Sequence, residues 1–291
     1  MEFKVIEDIY SFLEISGMTT MELADALEVS RVTISNWLNG NKAISVKHMD
    51  SFYEYVFRKG VRLNCIKEQL YREDYLHRNE VLLFHGAKTE LDGPLRVDCN
   101  KRLNDFGNGF YCGESLEQSA MFVATQPQST LYMLLFDPDG LRMKRYYVDR
   151  EWMLTIAYYR GRLQQYEDLP LVRQLKAARE QVDYIVAPIA DNRMFEIIDE
   201  FIDGEITDEQ CQHCLSATNL GNQYVFVSQA AIEHVTLLEK CYLTVSEKER
   251  YVQSRKDGFN INRDKVKLAR RQYRNQGLYI ESSGVMSSKE K

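Results

Sequence analysis

Apolar positions in the first sixty residues recur at helical spacing. Val5, Ile6, Ile9, Phe12 and Leu13 fall on one helical face. Thr19-x-x-Glu22 is a capping-box pattern that opens a helix through Leu27. Glu28-Val29 makes a tight connection, Ser30 caps the next helix, and Asn39-Gly40 stops it. A further helix is predicted from about Val46 to Arg58, and residues 61–78 read as a polar connecting helix. From Val81 the period changes. Short β-like runs appear (VLLFHG, TLYMLLFD, RYYV, DYIVAPI, QYVFV and HVTLLEK), separated by helical stretches near 114–125, 151–164, 170–181, 192–204 and 207–216. A basic helix is predicted around 262–274. The fold class is therefore α+β. An all-α module spans 1–60, a helical linker 61–79, a mixed domain 80–241 and a basic helical tail 242–291.

Composition narrows the class. The chain has 291 residues, 44% of them apolar and 27% charged, which suits two globular domains and excludes a largely disordered chain. No apolar run approaches the roughly 18 residues needed to span a bilayer. The acidic, amphipathic N-terminus has no signal-peptide core, so a cytoplasmic location is expected. The net charge of −6 is unevenly spread. Residues 1–77 carry −3, residues 78–241 carry −9 and residues 242–291 carry +6. The basic tail, with Arg263, Lys265, Lys267, Arg270, Arg271, Tyr273 and Arg274, can touch nucleic acid or fold over the acidic domain.

Cysteines 65, 99, 112, 211, 214 and 241 form no framework, and no disulfide is expected. Cys211 and Cys214 make one C-x-x-C with His213 inside it, on a segment that reads as helix. A zinc site usually needs a second pair at matching spacing, so ordinary helix positions are the reading and no metal is expected.

The segment TTMELADALEVSRVTISNWLNG has helix-turn-helix organisation. Ala24 is small where a second helix passes close by. Leu23, Leu27, Val29, Ile34, Trp37 and Leu38 fall where a three-helix core needs apolar groups. Residues 3–58 resemble the lambda-repressor-like, or Xre-type, helix-turn-helix family. The resemblance implies Arg31, Thr33 and Asn36 near base edges, and Ser30, Asn39 or Lys42 near phosphates. A charge of −3 argues against strong non-specific DNA binding, so modest, sequence-specific binding by a homodimer is expected. A helical bundle for protein contact is the alternative.

Three segments of the second domain carry candidate chemistry. In VLLFHGA, His85 ends an apolar run and Gly86 lacks a Cβ, which suits a ligand approaching the backbone; taken alone, a structural histidine is the better reading. In DFGNGFYCGESLEQSAMFV, Gly107 and Gly109 make a tight loop before a strand, and a helix with Ser119 and Phe122 follows. Phe110, Tyr111 and Phe122 serve as core or as walls around a flat ring. This is no dinucleotide fingerprint, because the third glycine and the strand-then-helix order are missing. In GNQYVFV, Gln223 and Val225 share one strand face while Tyr224 and Phe226 share the other.

The ordered set resembles the ADP-ribosyltransferase superfamily, on its poly(ADP-ribose) polymerase-like and diphtheria-toxin-like branch. The matching elements are His85-Gly86, Gly107-Asn108-Gly109-Phe110-Tyr111, Ser119-Ala120-Met121-Phe122 and Asn222-Gln223-Tyr224-Val225-Phe226. An uncharacterised bacterial family of this superfamily is similar over roughly 81–240, including the Gln of the third motif. The resemblance implies a split, mostly antiparallel β-sandwich with helices and NAD as substrate. His85 would bond a ribose hydroxyl. The Gly86 backbone would clamp the nicotinamide carboxamide with Ser119 as a further donor, Gly109 would serve the cofactor loop, and Tyr111 and Phe122 would sandwich the ring. His85, Tyr111 and Gln223 would be the catalytic set, acting by positioning and charge stabilisation without a metal.

Gln223 stands where most active relatives have Glu. An amide can bond a ribose hydroxyl but is no base, and its transition-state loss is on the order of 2–4 kcal/mol. Either a single ADP-ribose passes to an acceptor needing little base help, or another carboxylate substitutes; Glu114 and Glu117 are the local candidates. The expected function is an NAD-dependent mono-ADP-ribosyltransferase that modifies a protein or nucleic acid and releases nicotinamide. Its DNA-binding module would serve autoregulation or targeting, and a toxin or defence role fits this architecture. The alternatives are an inactive NAD- or ADP-ribose-sensing transcriptional regulator and a purely structural partner.

Overall fold

The computed structural model describes residues 2–75, 79–98, 103–218 and 220–283. Cys99, the end of the connecting segment at 76–78 and the polar end of the tail lie outside the described residues. Packing divides the chain into two compact units that interleave in sequence. One comprises Met1–Leu91, Leu116–Phe136 and Thr236–Ser254; the other comprises Asp92–Ser115, Asp137–Val235 and Arg255–Lys291. Both contain helices and strands, as the change of period at Val81 requires.

The first unit begins with α1 (Val5–Ser16), α2 (Thr20–Ala26), α3 (Arg31–Leu38), α4 (Val46–Arg58) and α5 (Leu63–Asp74). The N-caps are where the sequence puts them. The Thr19 side chain accepts from the Glu22 N–H while Glu22 answers the Thr19 N–H, a complete capping box. Ser30 and Ser45 cap α3 and α4. The turn between α2 and α3 puts Glu28 in the left-handed region, at φ 55°, a conformation that costs a non-glycine residue about 1 kcal/mol or more. Ile9, Phe12, Leu23, Ile34, Trp37 and Phe52 fill the core beneath.

The same unit holds strands β1 (Val81–Ala87), β3 (Thr130–Phe136) and β7 (Val235–Cys241), adjacent in that order, with α6 (Leu116–Val123) alongside. β1 and β3 run antiparallel, with His85 opposite Tyr132 and Gly86 opposite Leu131. β3 is buried along its whole length, which explains its continuous apolar run. Helix α5 is not a solvated connector. Lys67 reaches Asp8 of α1 at 2.5 Å and Glu239 of β7 at 2.9 Å. Lys4 bonds Glu239 at 3.3 Å, Tyr71 donates to Glu239 at 3.0 Å, and Tyr53 of α4 donates to Asp8 at 2.6 Å. The sequence reading missed this because a lysine on a polar helix looks solvated until its partners, 59 and 172 positions away, fold beside it.

The second unit pairs β4 (Met143–Arg145), β5 (Tyr184–Pro188), β6 (Asn222–Phe226) and β2 (Phe110–Gly113) in that order. β4 and β5 are parallel; β5–β6 and β2–β6 are antiparallel. The run RYYV is only partly strand, since β4 ends at Arg145 and Tyr146 is buried among aromatic and aliphatic core residues instead. Helices α7 (Arg150–Tyr159), α8 (Pro170–Glu180), α9 (Asn192–Ile202) and α10 (Asp208–Ser216) supply its core, and a short α11 (Gln229–Glu233) follows β6. Asp149, Asp191 and Thr207 cap α7, α9 and α10.

The tail helix is longer than the sequence pattern implies: α12 runs Val245–Gln272, starting well before the expected 262. Its composition is largely polar, with Gly258 and four asparagines or aspartates nearby, so no apolar stripe announces it. Tertiary contacts hold it instead. Val266 and Ala269 are buried with α9 and α10, and Arg270 pairs with Glu200. Beyond α12, Leu278 exchanges backbone and side-chain hydrogen bonds with Asp208. The basic tail thus lies against acidic helices of its own unit. Among the described residues no helix is long and apolar enough to cross a membrane.

Lys67→Met tests the buried network. Removing one partner of a buried ion pair costs about 3–5 kcal/mol. Burial already holds the Asp8 carboxyl above its ordinary 3.8, with Lys67 pulling it back down. Without Lys67 it rises further, so the folded variant binds more protons than the unfolded chain above pH 3.8 and loses stability as pH rises. Urea unfolding should show a larger loss at pH 7 than at pH 4. Equal losses at both would show that the carboxylates do not depend on Lys67.

Candidate functional site

Side-chain alternation on β1 sends Leu82, Phe84 and Gly86 to the face covered by α6, and Leu83, His85 and Ala87 to the other. A Cβ on Gly86 would lie 2.5 Å from the Ser119 carbonyl oxygen and 3.0 Å from a Val123 methyl. Helix α6 is what lies close on the side where a Gly86 Cβ would project. Ser119 is buried, and its hydroxyl donates to the Phe84 carbonyl at 3.2 Å. Its one proton is therefore in use within the fold. Phe122, one turn further on, is 64% exposed. His85 is half-buried opposite Tyr132, whose hydroxyl accepts from the Leu91 N–H at 2.9 Å.

In the second unit the β2–β6 ladder sets Tyr111 opposite Val225 and Gly113 opposite Gln223. Paired residues of an antiparallel ladder share a face, so Tyr111 and Gln223 lie diagonally on one side. Gly109 admits β6: a Cβ there would meet Val225 at 2.8 Å and the Phe226 carbonyl at 3.0 Å. Gly107 takes φ 74°, and the Tyr111 hydroxyl donates back to its carbonyl at 2.7 Å while accepting from the Phe106 N–H at 3.2 Å. Burial, with the nearby negative charge of Asp105, pushes the Tyr111 phenol well above its ordinary 10. It stays protonated at neutral pH. Arg179 clamps the loop by donating to the carbonyls of Phe106, at 2.8 Å, and Asn108.

Gln223 is 7% exposed and its amide nitrogen donates to Asp105 at 2.9 Å and to the Pro188 carbonyl at 3.1 Å. Asp105, also buried, accepts from Arg160 Nε at 2.8 Å on its other oxygen. The carboxylate beside Gln223 is therefore Asp105. Of the sequence candidates, Glu114 is tied to the Asn222 N–H and side-chain amide at 2.9–3.1 Å, and Glu117 is exposed in the first turn of α6. Asp105 opens the same glycine-rich segment that carries Tyr111. Its signal was an acid beginning a buried loop, but nothing local says that residues 160 and 223 meet it.

The C-x-x-C cysteines of α10 are buried in apolar core, their thiols facing the Ile197 and Val266 carbonyls at 3.6 and 3.9 Å. Burial lifts the Cys214 thiol to about 11, which keeps it protonated and unreactive. His213 stacks on Tyr273 at 3.5 Å between ring centres. Among the described residues no group of three or more His, Cys, Asp or Glu side chains is placed to hold a metal ion.

On the helix-turn-helix segment, Ile34 and Trp37 turn inward and Ala24 is buried where α2 meets α3. Arg31, Ser35, Asn39 and Lys42 are exposed; Thr33 and Asn36 are half-buried. Ser30 and Thr33 hydroxyls bond each other at 2.9 Å within the cap. Helical geometry centres the outward face on Val32, 67% exposed, a position the sequence reading passed over.

No curated protein matches the chain, and no solved structure does. A family model described as "Protein of unknown function (DUF3990)" matches residues 81–237. That match covers β1 through the start of β7, with every motif residue named above from His85 to Gln223, and takes in more than half of the sequence. The chain belongs to the DUF3990 family.

Proposed function

We propose that this protein is a mono-ADP-ribosyltransferase that moves ADP-ribose from NAD to a protein or nucleic-acid acceptor and releases nicotinamide. The observation that carries the reading is the β2–β6 ladder. It sets the Tyr of G-x-G-F-Y and the Gln of N-Q-Y-V-F, two of the three residues that the resemblance to transferases names, diagonally on one face. A protonated phenol and an uncharged amide there suit a ribosyl–nicotinamide ligand. They offer packing surface and hydrogen bonds to a group that becomes cationic as the glycosidic bond breaks. His85 would bond a ribose hydroxyl. With no free carboxylate on Gln223, extension of a poly(ADP-ribose) chain is not part of the proposal.

One observation favours a second reading, an inactive NAD- or ADP-ribose-sensing regulator. The carboxylate beside Gln223 is already paired with Arg160, so no group contacting that amide is free to take a proton from an acceptor. Both readings use α3 as a DNA-contacting helix, in keeping with the Xre-type resemblance of residues 3–58.

Nicotinamide release separates the readings. The full-length protein given NAD and cell lysate should release nicotinamide, and His85→Ala should reduce the rate about 100-fold, the usual cost of one preorganised hydrogen-bonding group. No release, with NAD still raising the melting temperature, establishes the sensor. Neither release nor a thermal shift rejects both.

For the N-terminal module, Arg31→Ala with Asn36→Ala should weaken binding to the protein's own promoter fragment at least about tenfold, given roughly 1–3 kcal/mol per base contact. Unchanged binding of that fragment by the folded double variant removes the base-reading role.

A further inference from the structure

Glutamine at 223 is the residue that sets this chain apart from the pattern it resembles, and its surroundings specify an amide there. The two protons on Nε2 meet Asp105 Oδ2 at 2.9 Å and the Pro188 carbonyl at 3.1 Å. A carbonyl cannot donate, and neither can a carboxylate held by a guanidinium. Turning the amide over would set its oxygen against two acceptors, so the orientation is fixed by chemistry. Oε1 is left as the one end able to receive a hydrogen bond from a ligand. Asp105 is fixed in turn. Its Oδ1 takes both Nε and a terminal nitrogen of Arg160, at 2.8 and 2.5 Å. Arg160 also donates to the Ala190 carbonyl at 2.9 Å and lies 4.6 Å above the Phe195 ring. Asp105 is 6% exposed and Gln223 7%, so water does not compete for these bonds.

We infer that Asp105, held by Arg160, is the positioning residue of Gln223, and that positions 105 and 223 are complementary: one carboxylate and one amide, never two carboxylates. This rests on the proposed NAD reading only for what Oε1 receives, a ribose hydroxyl. Glutamate at 223 would bring a second carboxylate to hydrogen-bond distance of Asp105, and one of the two would have to hold a proton. Among the described residues, the other charged or titratable groups around the pair are Arg160, Arg179 of α8, which bonds the 106–108 loop, the Tyr111 phenol, and Glu114 on Asn222. Only Arg160 and Gln223 are hydrogen-bonded to Asp105 among these groups.

Four full-length proteins test the inference: wild type, Asp105→Asn, Gln223→Glu, and the two changes combined. Gln223→Glu alone should melt below wild type at pH 7.5 and recover toward it at pH 5. The shared proton gives one carboxyl a folded pKa above its unfolded value, so stability is present at low pH and lost as pH rises. The combined variant removes the second carboxylate, though the glutamate at 223 still faces the Pro188 carbonyl, so it should regain part of the melting temperature lost by Gln223→Glu and lose most of its pH dependence. Losses that simply add, or a Gln223→Glu loss independent of pH, would overturn the complementarity.

Positioning has its own readout. In ¹⁵N–¹H spectra of the ligand-free protein, the side-chain NH₂ pair that disappears in Gln223→Glu belongs to Gln223. It should exchange slowly in wild type and quickly in Asp105→Asn, measured well below the melting temperature. Unchanged exchange would refute the positioning role. NAD is added last, as a probe. Asp105→Asn should bind it at least tenfold more weakly than wild type. A wild type that binds no NAD defeats the proposed function and leaves the amide result standing; binding to wild type and Asp105→Asn alike defeats the positioning role alone.

Discussion

A lysine whose side chain is only 15% exposed must be paired, and Lys67 organises the first unit through that requirement. Burial alone would lower the pKa of its ammonium. The carboxylates of Asp8 and Glu239 outweigh that effect and hold it above the usual 10.5. Satisfying both carboxylates recruits Tyr53 of α4 to Asp8, and Tyr71 of α5 with Lys4 to Glu239 of β7. Stacking reinforces the same junction: Tyr53 lies parallel to Tyr242 at 4.4 Å, and Phe3 meets Tyr242 edge-on at 5.2 Å. The contacts to Glu239 and Tyr242 join the first 71 residues to positions more than 160 further along the chain. The helix-turn-helix segment is thereby part of a unit that includes β1, β3 and β7, and its outward helix is built on the same body as Gly86.

The second unit solves the same problem with Arg160 and Asp105, but with a different result. There the buried pair takes up one further polar group, Gln223, and orients it. A buried ion pair is weak evidence for stability, because desolvation offsets much of its attraction. Its firmer contribution is geometric. Arg160 has its Ala190 bond and its place over Phe195, Asp105 has its loop, and Gln223 has its strand; the three meet in one arrangement.

Much of the fold is legible along the chain because its signals are local. The capping box at Thr19 and Glu22, the serine and aspartate caps, and the alternation of Gln223 with Tyr224 all depend on neighbours within four residues. Strands β1, β3, β5, β6 and β7 fall on the runs that suggest them. What is not legible depends on distant partners. Lys67 and Asp105 look like solvated charges until residues far along the chain cover them. Nothing near Gly86 in the sequence shows that α6 lies across the side where a Cβ would project. α12 carries no apolar stripe because scattered residues, Tyr251, Val266 and Ala269, hold it against two different cores. The interleaved units belong with these, since no composition shift marks Leu91, Ser115 or Val235 as edges.

The charge state around Gln223 sets what chemistry this face can support. In the proposed reaction a glutamate would add a negative charge beside the oxocarbenium-like ribose, and a base for the acceptor. Gln223 supplies neither, and the adjacent negative charge is balanced by Arg160. Any catalysis here must therefore come from orientation and packing, from the remaining lone pairs of one fixed amide oxygen, and from acceptors that are nucleophilic without losing a proton. Orientation is the effect that a locked amide serves best, because a donor or acceptor that need not reorganise contributes fully at the moment of reaction. The same rigidity suits recognition without turnover, since a preorganised polar group binds a hydroxyl at little entropic cost. The proposed transferase and the proposed sensor thus share one requirement, a Gln223 that cannot turn, and differ only in whether the ribosyl bond of a bound NAD would break.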